Sequence, residues 1–359
     1  MRKSCLSCKN RISLLRQKVE QKLLIIYTGG TIGMVKDPDT NTLKPFEFDK
    51  MYQWVPELKK FDFKVEYLSF APPVDSSMMD PAIWIKLAVL IEENYHNYEG
   101  FVILHGTDTM AYTASALSFL MHNLNKPVIL TGSQLPMGAI RTDGKENLLT
   151  ALQIASAQKN GQALVPEVCI YFQDKLFRGN RTTKYNAEHF HPFRSDNYPA
   201  LAEVGIHIKY NYPYIRYGTD EGHFHVSRKM DTAIALIKIF PGMTPWVLNA
   251  LLQAEGIKAV VLETYGSGNA PTHKWFLDAL EGATKRGLII VNVTQCLAGS
   301  VEMWRYETGL RLSNLGLVSG HDMTTEAAVT KAMYLLANSS NPNEIKENMG
   351  KSLKGEISH

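Results

Sequence analysis

Leu23-Leu24-Ile25-Ile26-Tyr27 runs directly into Thr28-Gly29-Gly30-Thr31-Ile32-Gly33, and Phe101-Val102-Ile103-Leu104 runs into His105-Gly106-Thr107-Asp108-Thr109-Met110. An apolar run of four or five residues closed by glycine reads as a buried strand of a parallel sheet. In open α/β sheets, ligands bind just beyond the carboxyl ends of such strands. The two stretches thus place threonine hydroxyls and the Asp108 carboxylate where substrate chemistry is expected.

Outward from these runs, apolar and amphipathic stretches alternate. Val65 to Phe70 reads as a second strand, and Asp80-Pro81 opens a helix with Asp as N-cap and Pro at the first helical position. Phe101 to Leu104 is followed by a helix from Met110 to His122, then by a strand at Pro127 to Leu130. A helix near Lys145 to Lys159 and a strand at Val168 to Phe172 come next. The pattern breaks between Lys209 and Arg228, a tyrosine- and glycine-bearing stretch without period that reads as a linker. Strands resume at Ala233 to Ile239, Ala259 to Leu262 and Leu288 to Val291, and a last helix starts at Thr324 or Thr325. Such β-α alternation predicts an α/β protein of two domains, each a mostly parallel sheet with helices on both faces. The expected layout is a basic leader over 1–22, a larger catalytic domain over 23–208, a linker over 209–230 and a smaller domain over 231–359.

The 359-residue length favours two domains over one. A hydrophobic fraction of 45%, a charged fraction of 20% and a net charge of +3 suit a soluble enzyme and argue against a nucleic-acid partner. Only the leader is strongly basic, and a solvated tail is its plain reading. Four cysteines do not make a disulfide framework, and Cys5 and Cys8 form a lone Cys-x-x-Cys, so no metal is expected. Neither a signal-peptide core nor an apolar stretch of about 18 residues is present, which predicts a cytoplasmic protein without a membrane partner.

In the first motif, Gly29 and Gly30 permit a tight turn that exposes N–H groups, and Thr31 presents a hydroxyl beside them. A nucleophile next to preorganised donors is what acyl transfer requires. The competing readings are a dinucleotide loop, which the spacing does not fit, and plain glycines at a turn. In the second motif Gly106 permits close approach of a ligand. Thr107 and Asp108 point apart, so one can act on a reacting centre while the other pairs with a substrate ammonium; Asp108 can equally cap the helix at Met110. Lys184, in Arg178-Gly179-Asn180-Arg181-Thr182-Thr183-Lys184, is either a lysine delivered into a cleft or part of a basic surface loop. Asp75-Ser76-Ser77 reads as a carboxylate-binding nest or a routine turn.

Thr28 to Gly33 and His105 to Met110 together resemble the bacterial L-asparaginase family. Thr131-Gly132-Ser133-Gln134, Arg178 to Lys184, Tyr265-Gly266-Ser267-Gly268-Asn269-Ala270-Pro271, Asp75-Ser76-Ser77 and Thr294-Gln295-Cys296 are similar to its cytoplasmic type I branch. The resemblance runs from Lys22 to the last helix. It implies hydrolysis of the side-chain amide of free L-asparagine to L-aspartate and ammonia, a flavodoxin-like smaller domain, no cofactor, and a homodimer or homotetramer. It further implies that Thr31 forms an acyl-enzyme and that Thr107, Asp108 and Lys184 form a second cluster that activates water. Asp108 would also hold the α-ammonium, with Asp75, Ser76, Ser77 and Gly106 around the substrate.

Two departures from the family pattern stand out. Relatives carry a tyrosine in the loop after the first motif, whereas Met34 to Pro45 has none, so Tyr306 is the candidate phenol. The residues of a type I effector site, Thr183, Asn269 and Cys296, match, but Glu263 stands where an arginine would hold an effector carboxylate. Weak or absent activation by asparagine is therefore expected. The rival readings are a glutaminase-asparaginase, the ammonia-producing subunit of a tRNA amidotransferase, and a non-catalytic asparagine sensor, which would need Asp108 and the serines but neither Thr31 nor Lys184.

Overall fold

The computed structural model describes residues 21–36, 43–45, 51–218, 222–305 and 307–358. The first apolar run forms β1 (Lys22–Tyr27), flanked in parallel by β2 (Lys64–Ser69) and β3 (Gly100–Leu104). Strands β4 (Val128–Thr131) and β5 (Val168–Phe172) extend the parallel array. The chain then reverses into β6 (Lys175–Arg178), leaves the sheet for the short β7 (Thr183–Lys184), and returns as β8 (Ala202–Val204) and β9 (Ile208–Tyr210). The resulting order is β9-β8-β6-β5-β4-β3-β1-β2, five parallel strands with an antiparallel extension.

Both faces of this sheet are covered, which is why its central strands are apolar throughout rather than alternating. Leu24, Ile26 and Ile103 pack beneath α1 (Pro81–Asn94) and α2 (Met110–Leu120), through Trp84, Leu87, Ile91 and Leu117. Leu23, Ile25 and Val102 face α3 (Gly144–Ser156), through Leu148 and Leu152. As expected, α1 starts at Pro81 with the Asp80 carboxylate accepting from the Ile83 amide at 2.9 Å.

The second sheet holds β10 (Ile234–Lys238), β11 (Ala259–Thr264), β12 (Ile289–Thr294) and β13 (Val318–Ser319), all parallel and in consecutive order. Helices α4 (Pro245–Leu252), α5 (Lys274–Lys285) and α6 (Glu307–Asn314) cover one face, and α7 (Thr325–Asn338) and α8 (Pro342–Met349) cover the other. Helix α7 also meets α2 of the first unit, where the rings of Phe119 and Tyr334 stack with centroids 6.2 Å apart.

Three expectations differ from the structure. The stretch expected as a linker is partly built into the first unit, since Lys209 and Tyr210 belong to β9 and His225–Val226 pairs with Met121–His122. That pairing also ends α2 at Leu120, two residues short of His122. Helix α3 stops at Ser156 because Gln158–Lys159 and Gln162–Ala163 form a hairpin around Asn160-Gly161. Both turn residues have positive φ, 56° and 79°, as a two-residue hairpin turn requires. Residues 1–20 of the leader, with Cys5 and Cys8, and Tyr306 lie outside the described residues. No helix of the described residues is long and apolar enough to cross a membrane.

Candidate active site

Register brings the two glycine motifs together. Tyr27 at the end of β1 lies beside Leu104 at the end of β3, which lies beside Thr131 at the end of β4. The ladder runs one rung further, Thr28 N–H donating to Leu104 O and His105 N–H to Thr131 O, so the loops emerge along one edge. Gly30 has φ 91°, and a Cβ on it would sit 2.5 Å from the Gly106 nitrogen. A Cβ on Gly106 would lie 2.5 Å from Ser76 Oγ. The absent side chains are what allow the first motif, the second motif and the Ser76 turn to touch. Thr31 opens the one-turn 3₁₀ helix Thr31–Gly33 directly after this contact.

Lys184 reaches the same place from β7. Its Nζ donates to Thr107 Oγ1 at 2.8 Å and to Asp108 Oδ1 at 2.6 Å. The lysine side chain is only 16% exposed, whereas that of Asp108 is 66% exposed and open to a ligand. Asp108 does not cap α2: Thr109 occupies the N-cap position, and its hydroxyl donates to Ser76 O at 2.6 Å. In the Asp75-Ser76-Ser77 turn the residues face different ways. Ser76 is buried against Gly106, while Ser77 donates its amide and hydroxyl to Asp75 Oδ1, each at 2.8 Å. Those two bonds hold the Asp75 carboxyl below its ordinary value.

Beneath the second motif lies a buried proton chain. His105 Nδ1 faces Gly106 O at 2.6 Å, and since a carbonyl only accepts, Nδ1 carries the hydrogen. Nε2 then accepts from the Thr113 hydroxyl at 2.9 Å, and Thr113 accepts from Trp84 Nε1 at 3.0 Å. Burial pushes the imidazole down to about 4, so His105 stands as a neutral strut rather than an acid or base at neutral pH.

Of the expected effector residues, Thr183 is the one bonded across to the second unit. Thr183 Oγ1 donates to Glu326 Oε1 at 2.6 Å, and Thr325 Oγ1 donates to Glu263 Oε1 at 2.6 Å, so Thr183 and Glu263 both meet the first turn of α7. Lys238 Nζ lies 3.3 Å from the other Glu263 oxygen. Asn269 accepts from Thr308 Oγ1 at 2.6 Å, and Cys296 is exposed just past β12. Burial raises the Glu326 carboxyl above its ordinary value, against the bond from Thr183. Sequence reasoning singled out neither Glu326 nor Asp322, which binds Arg181; nothing in an acid just before a helix or in its first turn marks it as reaching another domain.

Residues 22–216 match the family model "Asparaginase, N-terminal", and residues 233–349 match "Glutaminase/Asparaginase C-terminal domain". The chain is 42% identical to L-asparaginase 1 of Escherichia coli over 94% of its own length and 98% of that protein. It is also 42% identical to a mouse protein named 60 kDa lysophospholipase, over 94% of this chain and 63% of the mouse protein. The crystal structure of L-asparaginase I from Vibrio cholerae superposes with a TM-score of 0.86 at 42% identity, covering 94% of this chain and 99% of that one. With both of its units matched in order, and a full-length relative at this identity, the chain belongs to the asparaginase family.

Proposed function

We propose that this enzyme hydrolyses the side-chain amide of free L-asparagine to L-aspartate and ammonia through an acyl-enzyme on Thr31. Thr31 Oγ bonds to the amide carbon, the C–N bond breaks, and the hydroxyl proton leaves with ammonia. Water then cleaves the ester, returning a proton to Thr31 and releasing aspartate. The observation that carries the reading is the pair of bonds from Lys184 to Thr107 and Asp108, together with the close approach of Gly30, the residue before Thr31, to Gly106, the residue before Thr107. Donation by a lysine stabilises negative charge on Thr107 Oγ1, which suits that oxygen to orient and deprotonate the attacking water. The open face of Asp108 suits the substrate ammonium, and Ser76 at Gly106 suits its α-carboxylate. Tyr306 is our candidate for the phenol that takes the Thr31 proton. A cytoplasmic homodimer or homotetramer is the setting that the family resemblance supports.

Ammonia release from L-asparagine and L-glutamine by the wild type and Thr31→Ala tests this directly. We expect release from asparagine that falls at least about 10³-fold in the variant, since loss of a covalent nucleophile leaves only binding and electrostatic assistance. Preference for glutamine would change the substrate and keep the mechanism. A wild type that binds asparagine without releasing ammonia would overturn the reading in favour of a sensor.

A further inference from the structure

Lys184 sits on a two-residue strand, and short hairpins alone hold a long side chain poorly. The segment that delivers it, Gly179 to Thr183, is tied down by the other domain. Arg181 is 2% exposed, and its guanidinium makes a two-pronged pair with Asp322, Nη1 to Oδ1 at 3.1 Å and Nη2 to Oδ2 at 2.7 Å. Asp322 lies in the turn before α7. The last described residues close over the pair: Arg181 also donates to Glu356 O and, at 2.9 Å, to Ser358 Oγ, while Ser358 donates its amide and hydroxyl to Asp322. On the same segment Asn180 donates to Lys354 O at 3.0 Å, and just before it Arg178 donates to Gly355 O at 3.2 Å. The tail that supplies these carbonyls is itself anchored by a fully buried ion pair, Lys331 to Glu356 at 2.6 Å. Finally Thr183, the neighbour of Lys184, donates to Glu326 one turn beyond Asp322.

A surface lysine would need none of this. Burying an arginine and three acids carries a desolvation cost that hydrogen bonds must offset, and hydrophobic residues would fill the same space at less cost. We propose that Asp322, acting through Arg181 and backed by the 354–358 tail, positions Lys184 on Thr107 and Asp108, so that this part of the smaller domain shapes the site without itself entering it. The proposal rests on the role given to Lys184 above. Its physical basis is that a displacement of about 1 Å in a catalytic group costs on the order of 10²-fold in rate. Asp322 is suited to the task at working pH: burial alone would raise its carboxyl, but the bonds from Arg181 and Ser358 hold it below the ordinary value and keep it charged.

The test is a double-mutant cycle on ammonia release, with Asp322→Asn, Lys184→Met and the double variant beside the wild type. In the wild-type background we expect Asp322→Asn to lower kcat about tenfold or more while KM changes by less than about threefold. In the Lys184→Met background the same change should alter kcat by less than about twofold, because the group it positions is gone. A general loosening of the structure would instead lower kcat by the same factor in both backgrounds, and that result overturns the proposal. If Asp322→Asn does not fold, Ser358→Ala, which removes one hydroxyl from the pair, replaces it in the cycle; a smaller kcat loss that vanishes without Lys184 supports positioning, and an unchanged kcat overturns it. If Lys184→Met turns over as fast as the wild type, the role of Lys184 and the positioning fall together. If Lys184→Met is impaired and Asp322→Asn is not, the positioning alone falls.

Discussion

At His105 a single proton decides the arrangement. The Trp84–Thr113–His105–Gly106 chain uses every hydrogen in one direction, so a second proton on the ring would set Nε2–H against the Thr113 hydroxyl hydrogen. The folded imidazole titrates at about 4, below its value of 6.5 in the unfolded chain. Between those values the unfolded state binds the extra proton, so stability is fully present above pH 6.5 and declines as pH falls toward 4. The loss is on the order of 2 kcal/mol by pH 5. Thermal melts at pH 7.5 and pH 5 should show a larger drop in Tm for the wild type than for His105→Gln, which keeps a donor and an acceptor. Equal drops would contradict the chain. The motif residues themselves are legible because glycine at Gly30 and Gly106 answers a close contact that a Cβ would prevent. The proton chain is not legible, since Trp84 and Thr113 stand apart from His105-Gly106 in the sequence and only packing unites them.

At the scale of elements, hydrophobic period identifies the strands and the main helices, and the Asp80-Pro81 signature marks the start of α1. Short elements escape, because two residues carry no period. Asn160-Gly161 is the turn signal that would have found the hairpin after α3, and Met121–His122 depends wholly on its partner His225–Val226. The end of β11 and the start of α7 carry a functional expectation. Glu263 is buried, bonded to Thr325 and close to Lys238, so a carboxylate stands at the position where the family resemblance leads one to expect an arginine holding an effector carboxylate. Like charge disfavours a second carboxylate there. Initial rates should therefore follow a hyperbola in asparagine concentration. A sigmoidal curve that becomes hyperbolic in Glu263→Ala would contradict this.

At the scale of the whole molecule, the smaller domain leaves Phe240 and Trp246 52% and 73% exposed. Exposed aromatic side chains are a common feature of protein interfaces, which accords with the homodimer or homotetramer proposed for the chain. Light scattering should return two or four times the chain mass of 40.3 kDa, and a single-chain mass would sink that proposal. By itself, the sequence determined the α/β class, the two parallel sheets and the two glycine motifs at strand ends. Each of these follows from residues near one another, through side-chain period and the steric freedom of glycine. Tertiary structure alone decided that Lys184 lies on Thr107 and Asp108, and that Asp322, Glu326 and the 354–358 tail grip the segment delivering it. Those partners are separated by more than a hundred residues in several cases, Arg181 and Asp322 by 141. No local pattern encodes such a meeting, because it is fixed by how the two sheets pack and by which polar groups that packing brings around each buried charge.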